Sequence, residues 1–162
     1  MKPLYSIIIP IFNEVEYIPK LLDGLKEFSI QGHEILIIND GSNDGSEKIL
    51  SSCNFIKVIH SKVNMGKGYS LKKGLQNSEN QNIIIFDGDL ELNLKNISKL
   101  MYLAPEKGIN FILGNRFNDG YNYTTIWDFG NYILTSVFNF LYRANIKDLL
   151  CCAKSFNKND ID

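Results

Sequence analysis

Three short runs constrain this chain most: Leu4–Ile9, Glu34–Ile38 and Asn82–Phe86. Each is rich in isoleucine and shows almost no alternation of polar with apolar residues. A strand apolar on both faces has to be covered on both, which is the situation of a parallel sheet between helices. Two further runs, Phe55–Ile59 and Ile109–Leu113, extend the series to five strands. Between them lie segments of helical spacing. Ile18, Leu21, Leu22, Leu25 and Phe28 mark the first, Ser46–Ser52 a short second, and Gly68–Asn77, with Leu71 and Leu75 four apart, a third. Leu94–Leu103 makes a fourth. This βαβαβ rhythm predicts an α/β fold, an αβα sandwich around a mostly parallel central sheet. The 162 residues suit a single domain over 1–156, followed by a polar, frayed tail at 157–162.

In such sheets ligands bind beyond the carboxyl ends of the strands. The informative residues are therefore those that follow each run. They are Pro10-Ile11-Phe12-Asn13-Glu14, Asn39-Asp40-Gly41-Ser42, Asp87-Gly88-Asp89 and Gly114-Asn115-Arg116. Several familiar chemistries fail on spacing. No glycine follows the first strand, so a dinucleotide fingerprint is absent, and Gly66-Lys67-Gly68 does not complete a P-loop. Asp40–Ser51 imitates a calcium loop but ends in Ser51 where a bidentate Glu is required. The two histidines, His33 and His60, read as ordinary surface residues. With 17 basic and 18 acidic residues the net charge is −1, which disfavours a nucleic-acid partner. Cys53, Cys151 and Cys152 have no zinc spacing, and they fit a reduced, cytoplasmic protein. No secretory signal opens the chain and no run approaches a membrane span, so the sequons at Asn96 and Asn122 read as chance.

Asp87-Gly88-Asp89 carries the strongest chemistry. In extended chain, residues two apart face the same way, and the glycine allows close approach. Hard divalent cations bind such oxygen pairs while keeping water and phosphate ligands. Asp-Gly is also a turn signal, and the neighbouring strand ends favour the metal reading. Asp40 is either a turn-capping residue or an acceptor for a nucleobase N–H. Asn64-Met65-Gly66-Lys67-Gly68 precedes a helix, where glycines, a helix N-terminus and a lysine attract phosphate. Arg116 is one of two arginines among 17 basic residues, and it suits either phosphate or a structural ion pair. Trp127–Tyr142 is a helix apolar nearly all round, with Trp127, Gly130, Leu134, Val137, Phe138 and Leu141 on one stripe. Such a helix is packed in a core or meets a membrane surface or a partner.

Together these residues resemble family 2 glycosyltransferases of the GT-A, Rossmann-like fold, over Ser6 to about Phe156. The matching motifs are Ser6–Glu14, Asn39–Ser46, Asn64–Gly68, Asp87–Asp89 and Gly114-Asn115-Arg116-Phe117. The segment from Gly130 through Asp148–Phe156 is similar to the polyprenyl-phosphate branch, like dolichol-phosphate mannosyltransferase. The resemblance implies that Pro10, Phe12 and Glu14 line a nucleotide pocket and that Asp40 holds the base. It implies Lys67, Asp87 and Gly88 at the nucleotide sugar, and Mg²⁺ or Mn²⁺ on Asp87 and Asp89. Arg116 would face phosphate, and Asp148 takes the late acidic position. Asn39, Glu91 and Cys152 depart from residues common in the family: Asp, Gln and Gly.

The implied activity is metal-dependent, inverting transfer of a sugar from a UDP- or GDP-linked donor to a polyprenyl phosphate. The catalytic set would be Asp89, Arg116 and Asp148. A phosphate acceptor is already anionic and needs positive groups to orient it rather than a strong base, whereas a glycan hydroxyl needs a base, for which Asp148 is the candidate. Alternatives are transfer to a glycan hydroxyl in cell-surface polysaccharide synthesis and a nucleotide-sugar binding module without turnover. The Trp127–Tyr142 helix suggests peripheral contact with the inner membrane face, and a homo-oligomer is open.

Overall fold

The computed structural model describes residues 3–116 and 126–161. Phe117, Asn122 and the Trp127 side chain lie outside the described residues. The elements are β1 (Tyr5–Ile11), α1 (Ile18–Ile30), β2 (Glu34–Asn39), α2 (Ser46–Ser51), β3 (Lys57–His60) and α3 (Lys67–Asn77). They continue with β4 (Asn82–Ile85), α4 (Ile97–Leu100), β5 (Phe111–Leu113), α5 (Ile126–Tyr142) and β6 (Lys154–Asn157). The six strands form one sheet in the order β3-β2-β1-β4-β6-β5. β1 pairs in parallel with β2 and with β4, and β2 with β3. β6 alone runs against its neighbours, β4 and β5.

The isoleucine runs do what their lack of alternation requires. Ile7, Ile9, Ile35, Ile37 and Ile84 point to one core with Leu21, Leu25 and Phe28 of α1. Ile8, Leu36, Ile38, Ile83 and Ile85 point to the other, against Leu71 and Leu75 of α3. Each buried aliphatic side chain contributes on the order of 1.5–3 kcal/mol relative to exposure. On α1 the buried positions Ile18, Leu21, Leu25 and Phe28 follow the helical period, and proline occupies the first turn, where its missing N–H costs little. β1 continues through Pro10 rather than stopping before it, because its pairing with β4 ends at Ile8 and only β2 lies beside Pro10.

Three expectations change. The helix over 94–103 is shorter: a 3₁₀ turn at Leu94–Asn96 leads into α4, which ends at Leu100. Ala104, ahead of Pro105, leaves the helical region, as a pre-proline residue tends to, and bridges to Ile109. The expected tail begins inside a strand: β6 takes in Asn157, a 3₁₀ turn follows at Lys158–Asp160, and the Lys158 ammonium donates to the Ser78 carbonyl at 3.2 Å. The inward stripe of α5 is polar. Asn131 and Thr135 are buried, and Asn139 exchanges two hydrogen bonds with Ile146. Leu134, Val137 and Leu141, read from the sequence as one apolar stripe, are at least half exposed, and Phe140 is 84% exposed.

Candidate active site

The sheet reverses direction of travel at β1, with β2 on one side and β4 on the other. The crevice beyond their carboxyl ends is a cleft of about 290 Å³. Pro10, Phe12, Glu14, Asp40, Lys67, Asp87 and Asp89 all line it. These seven come from four separate places in the sequence, and the strand ends bring them together. The N-terminus of α3 also opens into the cleft through Gly66 and Lys67. Ile11, Asn64 and Ser70 complete the wall.

The loops that shape the cleft lock into one another. Asn13 adopts φ +55, and its backbone N–H donates to Ser42 Oγ at 2.9 Å while its side-chain oxygen accepts from Asn43 N–H at 2.9 Å. Gly41 sits at φ +74 with the Val63–Asn64 backbone so close that a Cβ would lie 2.5 Å from it, which only glycine permits. The Asp40 carboxylate accepts N–H bonds from Met65 at 3.1 Å and Gly66 at 2.7 Å, so it fixes the loop entering α3. Asn39 takes N–H from Ser42 at 3.0 Å and joins His60 Nδ1 at 3.1 Å. His60 is thus tied to a strand-end motif, and His33 accepts the Tyr5 N–H at 3.2 Å; both are half-buried rather than surface residues.

At the floor, the Lys67 ammonium lies 2.6 Å from Asp87 Oδ1. Glu14 Oε2 is buried without a partner and sits over Gly88, where an added Cβ would come within 2.6 Å of it. Burial, then the charges of Asp89 and Asp87, push the Glu14 carboxyl up to about 7. Three acidic side chains thus crowd one lysine. That surplus of negative charge suits a divalent cation. Among the described residues no group of three or more acidic, histidine or cysteine side chains forms a complete metal cage. Asp87 and Asp89 would supply two oxygens and leave the rest to phosphate and water, as Mg²⁺-type sites do.

Arg116 and Asp148 lie beside the cleft rather than in its wall. Arg116 meets Asp148 through Nε at 3.0 Å, a terminal nitrogen at 3.2 Å and its backbone N–H at 3.1 Å. Its other terminal nitrogen is 3.5 Å from Glu91, whose N–H caps Asp89 at 3.0 Å. Burial would raise the Asp148 carboxyl, but the hydrogen bonds from Arg116 and Asn131 outweigh it and hold the pKa below the ordinary value. Asp148 is therefore a poor proton acceptor and a good anchor. Cys152 stands against Asp87, and the Cys151 thiol, burial and the Asp87 charge all raise its pKa.

Sequence reasoning missed Ser70, one helical turn beyond Gly66, whose buried hydroxyl in the cleft wall has no partner. Its position three residues after Lys67 on the same helix face was the available signal. Asn131 was also missed as a partner of Asp148.

Residues 6–161 match the glycosyl transferase family 2 description. The chain belongs to glycosyl transferase family 2. It is 28% identical over 139 residues to the glycosyltransferase GlyG of Streptococcus pneumoniae serotype 4, covering 80% of this chain and 46% of that one. It is 27% identical over 128 residues to a dolichyl-phosphate beta-glucosyltransferase of Dictyostelium discoideum, covering 68% and 39% respectively. The chain thus spans less than half the length of these two relatives. The fold is shared with glucosyl-3-phosphoglycerate synthase from Mycobacterium tuberculosis, solved with Mn²⁺, uridine diphosphate and phosphoglyceric acid. The TM-score is 0.72 at 16% identity, over 97% of this chain and 56% of that one. This is the GT-A arrangement expected of family 2.

Proposed function

We propose that this chain carries out metal-dependent, inverting transfer of a sugar from a UDP- or GDP-linked donor to a polyprenyl phosphate. The observation that carries the reading is the cleft at the β1–β4 switch point, where Glu14, Lys67, Asp87 and Asp89 face one another. Asp87 and Asp89 would hold Mg²⁺ or Mn²⁺, and Lys67 and the N-terminus of α3 would meet the diphosphate. The metal, when bound, supplies Lewis-acid stabilisation of the leaving diphosphate. Pro10 and Phe12 would pack on the nucleoside, with Asp40 behind it. The Ser70 hydroxyl is a further donor to the diphosphate. The Dictyostelium relative's name and the nucleotide and Mn²⁺ of the structural neighbour support this reading.

Asp148 bears on the acceptor. Buried and bound by Arg116 and Asn131, it is not placed to take a proton from a hydroxyl. An acceptor phosphate needs no such base, and the Arg116 guanidinium would help to orient it. The apolar face of α5, with Phe129, Ile133, Leu134, Phe140 and Leu141 exposed, would rest on the cytoplasmic membrane surface beside the lipid acceptor. Among the described residues no helix is long and apolar enough to cross a membrane.

Calorimetric titration with UDP and GDP, each with and without Mn²⁺, tests the donor site, with Asp89→Asn as control. Metal-dependent binding of one nucleotide, lost in Asp89→Asn, is the expected result. A transfer assay with a short-chain polyprenyl phosphate then tests turnover. Donor binding without transfer to phosphate or hydroxyl acceptors identifies a binding module, and unimpaired turnover by Asp89→Asn overturns the metal role.

A further inference from the structure

The stripe of α5 that packs against segment 146–149 is polar. A helix of 17 residues whose exposed face is Phe129, Ile133, Phe140 and Leu141 turns Asn131, Thr135 and Asn139 inward instead. These three stand four residues apart, on one line along the helix. Each bonds to the segment 146–149 or to a neighbour in the same line. Asn139 holds Ile146 through both of its amide atoms, at 2.8 and 2.9 Å. Thr135 Oγ1 accepts the Leu149 N–H at 3.2 Å and donates to Asn131 Oδ1 at 3.3 Å. That bond orients the Asn131 amide, so its NH₂ donates to Asp148 Oδ1 at 2.9 Å. Asp148 in turn grips Arg116 at three nitrogens.

We propose that Asn131, oriented by Thr135, is a positioning residue that fixes the Arg116 guanidinium through Asp148. The physical argument is one of satisfied directions. Asp148 is 1% exposed, so its oxygens can be held only by protein donors. Arg116 bonds Oδ2 through its backbone N–H and Nε and Oδ1 through a terminal nitrogen, and Asn131 adds the shorter bond to Oδ1. Without that amide, the carboxylate rotates to recover a lost bond, and the planar fork on Arg116 follows it. A hydrophobic residue at 131 would fill the space without setting this direction. The kinetic consequence rests on the transfer reaction proposed above, whereas the structural relay does not.

The test uses the fact that the sequence has two arginines, Arg116 and Arg143. Protein labelled with ¹⁵N-arginine gives two Nε–H signals, and Arg116→Lys assigns them. In the wild type the Arg116 signal exchanges with water at least ten-fold more slowly than that of Arg143, which is exposed. Asn131→Leu speeds Arg116 exchange at least ten-fold, and the milder Thr135→Val about three-fold, while the backbone amides of β1 keep their protection. Asn131→Gln restores part of the protection. Unchanged Arg116 exchange in both variants overturns the proposal. So does acceleration matched by the β1 amides, since that is general loosening. With a donor and acceptor pair that turns over, Asn131→Leu lowers kcat at least ten-fold with donor KM within two-fold, and adds no further loss to Arg116→Lys. Full additivity of the two variants overturns the relay. Absence of wild-type turnover defeats the transfer reading alone, and Nε–H exchange still decides the relay.

Discussion

Glu14 is a half-buried carboxylate whose surroundings disfavour its charge. Its carboxyl, ordinarily at 4.5, is pushed up to about 7 by burial and then by Asp89 and Asp87. The folded chain therefore binds a proton more tightly than the unfolded chain. Stability falls as pH rises through that window, because the native state must then carry an unfavourable charge. Glu14→Gln is expected to raise Tm above the wild type at pH 8, with the gap closing by pH 5, as thermal unfolding at the two pH values would show. A gap independent of pH would mean that Glu14 is charged and paired throughout. The same residue shows what a sequence discloses. Its place after the first strand marked it as a site residue, but its partnerless oxygen arises only when Asp87, Gly88 and Asp89 fold against it from 73 or more residues away.

Among the elements, α3 and α5 illustrate opposite uses of a helix face. α3 comes so near the sheet at Gly74 that an added Cβ would lie 2.4 Å from Ile8 Cγ2. Ala improves helix propensity by about 1 kcal/mol, but overpacking a buried site costs about 1–3 kcal/mol. Gly74→Ala should therefore destabilise the protein by about 1 kcal/mol or more. Gly68→Ala, on the same helix with nothing near its Cβ, should be tolerated; paired denaturant titrations check both. On α5, Phe140 and Leu141 are largely exposed, so replacing both with Ser should change stability by less than about 0.5 kcal/mol each. The same pair of changes should abolish sedimentation with anionic vesicles if that face meets lipid. The apolar run of α5 was legible, yet its orientation was not. Thirteen apolar or small residues outvote Asn131, Thr135 and Asn139 in any periodicity count, but burying those three against 146–149 satisfies donors that apolar packing would strand. β6 was illegible for a related reason: Lys154-Ser155-Phe156-Asn157 has one large apolar residue, and its strand state comes from the edges of β4 and β5 on either side.

At the scale of the molecule, β6 is the piece that joins the sheet. β4 and β5 do not pair with each other; each pairs with β6. Ser155 and Phe156 are buried there, and Gly114 N–H reaches the Ala153 carbonyl at 2.7 Å. Chain ending at residue 150 should therefore lose cooperative unfolding in urea rather than merely shift its midpoint, since β5 and the Arg116 turn lose their support. A sharp transition of unchanged slope would show that β1 to β4 with their helices stand alone. The parallel half of this architecture follows from the isoleucine runs, and the cleft follows from its topology. The reversed strand is set by pairing across 69 to 75 residues, which no local pattern encodes.

That reversed strand also has a place in time. A ribosome that has finished Leu113 must still add 40 residues before it reaches Lys154. At about 5–20 residues per second, β5 waits some seconds for its partner. During that wait β4 is an open edge, with apolar Ile83 and Ile85 along it. The nascent chain is thus open to holding chaperones, and to pairing with another unfinished copy, in the short interval before β6 is made.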